Sequence, residues 1–195
     1  DEVGASAQKA LSIYVNPALQ IITDNLPAWT AGVSFAHQLE STPGSGELTC
    51  DDLNSDLDGT GLSLSADGLL SGTPTAAGTI EFTAVVSDDG GGYDEKPLAM
   101  LVNPVVEVTT AALPAWTVDC GYSQSLSATG GTGLISFSDL NGDLDGTGLG
   151  LGSSGEITGT PSVSGEISFI ARAEDMVGGY ADQPLTVTIN PAVSI

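Results

Sequence analysis

The sequence predicts an all-β protein built as two tandem antiparallel β-sandwiches. Three observations carry that expectation. The 195-residue chain repeats itself at a fixed interval of 87. Its apolar residues alternate with polar ones at period two, the period of a strand with one buried face. Clusters of Gly, Asn, Asp and Pro interrupt these runs every 8–12 residues or so, roughly the spacing of sandwich strands.

The repeat comes first, because missing one misreads the whole chain. Asn16-Pro17, Asn103-Pro104 and Asn190-Pro191 follow one another at steps of 87 residues. Sliding the chain by that step aligns residues 16–102 with 103–189 without a gap, and 37 of the 87 positions are identical. Leu26–Thr30 meets Leu113–Thr117, Asp56–Leu62 meets Asp143–Leu149, and Gly72-Thr73-Pro74 meets Gly159-Thr160-Pro161. The expected organisation is therefore residues 1–15 as the last strand of a preceding repeat, 16–102 and 103–189 as two full repeats, and 190–195 as the start of another. Lys9–Asn16 supports the first of these by resembling Lys96–Asn103.

Within the first repeat the strands read in order as 19–23 with a continuation at 27–31, then 33–40, 47–52, 61–65, 68–71, 79–87 and 97–102. Ile80, Phe82, Ala84 and Val86 share one face of the sixth, and Leu98, Met100 and Val102 share one face of the last. Ile167, Phe169, Ala171 and Leu185, Val187, Ile189 repeat the pattern. Seven strands in 87 residues suit a sandwich of two sheets.

Charge narrows the function classes. The chain carries 25 Asp+Glu against 3 Lys+Arg, a formal net charge of -22. Phosphate contact needs a basic face, so nucleic acid is excluded as a partner, and docking on anionic lipid is disfavoured. No apolar run approaches the ~18 residues of a membrane-spanning helix. One histidine, His37, has no counterpart in the second repeat, where Gln124 stands, so no hydrolytic triad is expected. Cys50 and Cys120 fall in different repeats, on apolar positions, and are expected as buried free thiols. The chain is expected not to be an enzyme.

The segments Tyr122–Leu126, Ala128–Gly133, Gly148-Leu149, Gly155–Pro161 and Leu185–Asn190 resemble the Putative Ig and dystroglycan-type cadherin-like repeats of bacterial surface proteins. The resemblance implies two immunoglobulin-like, cadherin-like sandwiches, an extracellular or cell-surface setting, and a role as spacer or adhesion module, often with calcium. It also admits a carbohydrate-binding module of an adhesin or a polysaccharide-degrading system. The partners it implies are neighbouring repeats of the same chain, and a surface protein or polysaccharide.

Two constellations are candidates for a site. Asn54, Asp56 and Asp58 precede Gly59 as in the first half of a calcium loop, and Asn141, Asp143 and Asp145 precede Gly146 in the same way. Alternate oxygens before a tight glycine turn can converge on a hard cation, whereas Asp, Asn and Gly also form plain turns. Sandwich topology suggests a junction geometry, in which Asp56 and Asp58 meet Asn103 and Glu174 or Asp175 around one calcium between the domains. Trp29 and Trp116 occupy equivalent places. Each is expected either in the core, as the low aromatic content favours, or as a stacking platform for a sugar ring.

Overall fold

The computed structural model describes residues 6–193, and no helix occurs among them. The first repeat holds β1 (Trp29–Thr30), β2 (Phe35–Gln38), β3 (Leu48–Asp52), β4 (Leu62–Leu64), β5 (Leu69–Gly72), β6 (Gly78–Asp88) and β7 (Tyr93–Asn103). The second holds β8 (Glu107–Val108), β9 (Trp116–Thr117), β10 (Tyr122–Ser125), β11 (Ala128–Thr129), β12 (Ser136–Asp139), β13 (Leu149–Leu151), β14 (Glu156–Gly159), β15 (Gly165–Glu174) and β16 (Tyr180–Asn190).

Each repeat packs two sheets face to face. In the first, β1-β7-β6-β3 opposes β2-β5-β4; in the second, β9-β16-β15-β12 opposes β10-β14-β13. The long hairpins β6–β7 and β15–β16 are antiparallel, while β1 and β9 add to them in parallel. Alternation fixes the register, because a one-residue slip would turn every apolar side chain to solvent. Phe82, Ala84 and Val86 of β6 and Leu98, Met100 and Val102 of β7 point inward against Phe35, Leu62 and Leu70. Phe169, Ala171 and Val187 face Tyr122, Leu149 and Ile157 in the second core. Each fully buried large aliphatic side chain contributes about 1.5–3 kcal/mol.

One glycine pair explains two of the repeated motifs. In each repeat the chain before β4 or β13 crosses the end of β5 or β14 at backbone distance. A Cβ on Gly61 would lie 2.0 Å from the Thr73 carbonyl oxygen, and one on Gly72 would lie 2.1 Å from the Gly61 carbonyl oxygen. Gly148 and Gly159 repeat the crossing. No other residue fits, since both glycines also carry positive φ.

The structure departs from the sequence reading in four places. Residues 19–23 form only a bridge between Ile21 and Ser41, flanked by the Ile22 amide donating to the Glu40 carbonyl and the Thr42 amide donating to the Gln20 carbonyl, while toward β7 side chains take the ladder's place. The Asp94 carboxylate accepts from the Ile21 amide, and the Lys96 ammonium donates to the Ile21 carbonyl and pairs with Asp24. The last strand begins at Tyr93, four residues earlier than expected. Pro97 is tolerated inside β7, whose other neighbour, β1, reaches only Val102 and Asn103. Cys120 is exposed, in the turn after β9, and Cys50 is half-buried. Finally, residues 6–15 form no strand, and Leu11, Ile13 and Val15 are exposed. The remainder of the expected flanking segments, 1–5 and 194–195, lies outside the described residues.

Candidate functional site

The acidic loops are built as structural plugs. The turn after β3 buries Leu57, and the turn after β12 buries Leu144, each 3% exposed. The Asp52 carboxylate accepts the Leu57 amide at 2.9 Å, and Asp139 accepts the Leu144 amide at 2.8 Å. Thr60 and Thr147 close the turns by donating their hydroxyls to the Leu57 and Leu144 carbonyls. With the leucine pointing in, Asp56 and Asp58 on either side of it are exposed, as are Asp143 and Asp145. Asn54 is exposed, and Asn141 reaches only Asp143, at 3.4 Å.

A different cluster lies where the two repeats meet. Thr30 ends β1, and a parallel pairing holds it beside Asn103, the last residue of β7. Asp175 follows β15 and begins the turn back to β16. The Thr30 hydroxyl donates to Asp175 Oδ2 at 2.5 Å. Thr132 Oγ1 lies 2.8 Å from Thr30 Oγ1, and Asn103 Nδ2 donates to Thr132 Oγ1 at 2.9 Å. Since the single Thr30 proton goes to the carboxylate, Thr132 must donate to Thr30. The result is a one-way chain of donors from Asn103 through Thr132 and Thr30 to Asp175, alternating between the two domains. Such chains polarise one another in a low-dielectric setting.

Backbone amides complete the shell of Asp175. Thr132 donates to Oδ2 at 2.8 Å, while Val177 and Gly179 donate to Oδ1 at 3.0 and 2.7 Å. Thr30 is 1% exposed and Asp175 6%. Burial pushes the Asp175 carboxyl up, but the Thr30 hydroxyl and the three amides outweigh it and hold the group below the ordinary carboxylate value. Glycine makes the approach possible: a Cβ on Gly179 would lie 3.0 Å from the Thr30 methyl carbon, Cγ2.

The expected calcium junction does not assemble. Of its residues, Asn103 and Asp175 are brought together, by way of Thr132 and Thr30. Glu174 is exposed at the end of β15. Asp56 lies beside Phe82, Thr83 and Pro97 along the β6–β7 hairpin, and Asp58 beside Thr75–Ile80. Among the described residues no group of three or more His, Cys, Asp or Glu side chains is placed to hold a metal ion. Asp175 itself has two donors on each oxygen, which uses the roughly four lone-pair positions of a carboxylate. A cation at Asp175 would have to displace N–H groups that the fold fixes in place, so Asp175 as it is held here does not fit calcium.

The tryptophans are packing residues. Trp29 meets Phe35 edge-on, with ring centroids 5.2 Å apart, and donates its indole N–H to the Ser34 carbonyl. Trp116 meets Tyr122 in the same way at 5.7 Å. Both are half-buried against the cores, and each directly precedes the threonine of β1 or β9. The sequence reading missed Thr30 and Thr132. The visible signal was the repetition of Thr30 as Thr117 and of Asp88 as Asp175.

Residues 13–103 match the family model of the Putative Ig domain. No curated protein matches the chain significantly. Among solved structures, a three-Ig titin fragment carrying a Glu-to-Ala change is 10% identical, with 91% of this chain and 67% of that chain covered at a TM-score of 0.50. An I-band titin fragment gives the same identity and coverage at 0.49. Extracellular domains 3–5 of Drosophila OTK are 10% identical over 90% of this chain and 63% of that one, at 0.45. At 10% identity the likeness to the three-Ig titin fragment is one of fold alone. Among the described residues no helix is long and apolar enough to cross a membrane.

Proposed function

From a chain that carries a Putative Ig domain over residues 13–103 and repeats its sandwich over the following residues, we propose a non-enzymatic extracellular spacer or adhesion segment. Its two domains are held in one orientation by the protein itself. The observation that carries this reading is the buried hydrogen-bond chain across the joint, with Thr30 of one domain on Asp175 of the other. Flexibly linked domains would leave such groups to water. A buried carboxylate whose donors come from both domains ties the orientation to the cost of unpairing them.

The stiffness comes from protein donors in place of a bridging cation. The acidic surface then serves solubility and keeps neighbouring molecules apart, as a net charge of -22 does through self-repulsion.

Small-angle scattering tests the reading. The full chain is expected to scatter as one elongated particle with a narrow distribution of interdomain distances, unchanged by a calcium chelator. Thr30→Val is expected to broaden that distribution. Freely jointed domains in the unsubstituted chain would overturn the proposal.

A further inference from the structure

The joint has a counterpart at each outer pole of the pair. At the outer pole of the first domain, Asp88 stands 87 positions before Asp175, and its cradle is already made. The Ser45 amide donates to Asp88 Oδ2 at 2.8 Å, as the Thr132 amide does to Asp175 Oδ2. The Gly92 amide donates to Oδ1 at 2.7 Å, as Gly179 does. Asn16 Nδ2 donates to Ser45 Oγ at 3.0 Å, as Asn103 does to Thr132. Among the described residues, Asp88 lacks two of the donors that Asp175 has: the Val177 amide, whose counterpart on Gly90 donates to the Ser45 carbonyl, and the threonine hydroxyl from another domain.

That hydroxyl has its twin at the outer pole of the second domain. Thr117 pairs in parallel with Asn190 as Thr30 pairs with Asn103. The following turn is built alike: the Val118 amide donates to the Asn190 carbonyl and the Asp119 amide to the Pro161 carbonyl, matching Ala31 to Asn103 and Gly32 to Pro74. Thr117 is half-buried where Thr30 is sealed. Asp119 replaces Gly32, at a place where the backbone leaves room for a Cβ. A Cβ on Gly32 would meet nothing within 4 Å at the existing joint.

We propose that the Asp88 cradle and the Thr117 hydroxyl are the two halves of the Thr30–Asp175 joint, each shaped to receive a further repeat of this same kind. The partner of the Thr117 pole is a repeat presenting a carboxylate in a Ser/Thr–Gly amide cradle. The partner of the Asp88 pole is a repeat presenting a threonine at the end of its first short parallel strand. An array joined this way keeps one orientation from repeat to repeat. The inference rests on reading the Thr30–Asp175 contact as the element that fixes orientation.

The test extends the full chain by joining a copy of residues 104–190 after Asn190 and measures interdomain orientation by residual dipolar couplings. The third repeat is expected to align on the second as the second aligns on the first. Thr117→Val is expected to abolish that alignment in the three-repeat chain and to leave the two-repeat chain unchanged. A third repeat that orients independently, or one that stays aligned despite Thr117→Val, overturns the inference. Thr30→Val serves as the control. If it frees the existing joint while the added repeat stays unaligned, propagation fails and the spacer reading stands. If it leaves the existing joint aligned, the spacer reading fails as well.

Discussion

Asp88 and Asp175 occupy the same place in two copies of one fold, yet they sit in different surroundings. Asp88 is half-buried, held below the ordinary carboxylate value first by the Ser45 amide and then by Gly92. Asp175 has the equivalent two amides and a third from Val177, is 6% exposed, and takes the Thr30 hydroxyl from a second domain. The comparison separates two roles that one residue can hold. The cradle shapes the turn between the two long strands in both repeats. The hydroxyl turns that local device into a contact between domains.

The largest effect is expected from removing each carboxylate. Asp175→Ala leaves three backbone amides and the Thr30 hydroxyl without their acceptor in a buried place, and should cost about 2–4 kcal/mol in thermal or denaturant unfolding. Asp88→Ala should cost clearly less, because water can reach its amides. Equal losses in the two variants would mean that the interdomain contact adds nothing to the cradle.

Next in size is the hydroxyl alone. Thr30→Val keeps the shape and removes the donor to Asp175, for an expected loss of about 1–3 kcal/mol. Thr117→Val in the same chain should stay within about 0.5 kcal/mol of the unsubstituted protein. A Thr117→Val loss as large as that of Thr30→Val would show that the threonine serves its own domain and not the joint.

The acid response sharpens the same contrast. The folded Asp175 carboxyl titrates below its unfolded value of about 3.9. A depressed folded value contributes stability that is fully present above the unfolded value and is lost as pH falls through the folded one. The chain should therefore be insensitive to pH from neutrality down to about pH 5 and lose stability below about pH 4. Asp182, held low by the Arg172 guanidinium, and Asp88 share in that loss. Comparing melts of the unsubstituted chain and Asp175→Asn isolates the joint's part, which should vanish in the variant. A pH profile identical in both would detach Asp175 from the acid response.

The smallest effect is expected at the loops that drew attention first. Asp56→Asn with Asp58→Asn should change stability by no more than about 0.5 kcal/mol, since both side chains are exposed and neither anchors the turn. Millimolar calcium should leave the melting temperature of either protein unchanged. A calcium-dependent rise that the double variant abolishes would restore a metal role to these loops. Asp52→Ala, by contrast, removes the acceptor of the Leu57 amide and should be felt.

Much of the architecture was legible from the residues. The 87-residue step, the alternation along 79–87 and the paired Gly-Thr-Pro turns were enough for two sandwiches, because strand period and turn chemistry are local properties of a sequence. Local reasoning was weaker where side chains substitute for the backbone ladder, as Asp94 and Lys96 do at Ile21. It also read the Asp-Leu-Asp-Gly motif by its carboxylates, whereas the fold uses the leucine between them. In that motif the sequence shows which groups could bind a cation, but only packing decides which of its side chains turns inward.

By itself the sequence determined the duplication, the all-β class, the acidic surface and the repeated Gly-Thr-Pro turns. Tertiary structure alone decided how the two domains meet. Thr30 and Asp175 are 145 positions apart, and although each recurs in the other repeat, that repetition does not say that they meet. They meet because β1 lies in parallel beside the end of β7, which sets Thr30 next to Asn103 at the boundary, while the β15–β16 turn presents Asp175 from the other side. A hydrogen bond between domains depends on the relative placement of two completed folds, and periodicity within either one carries no record of it.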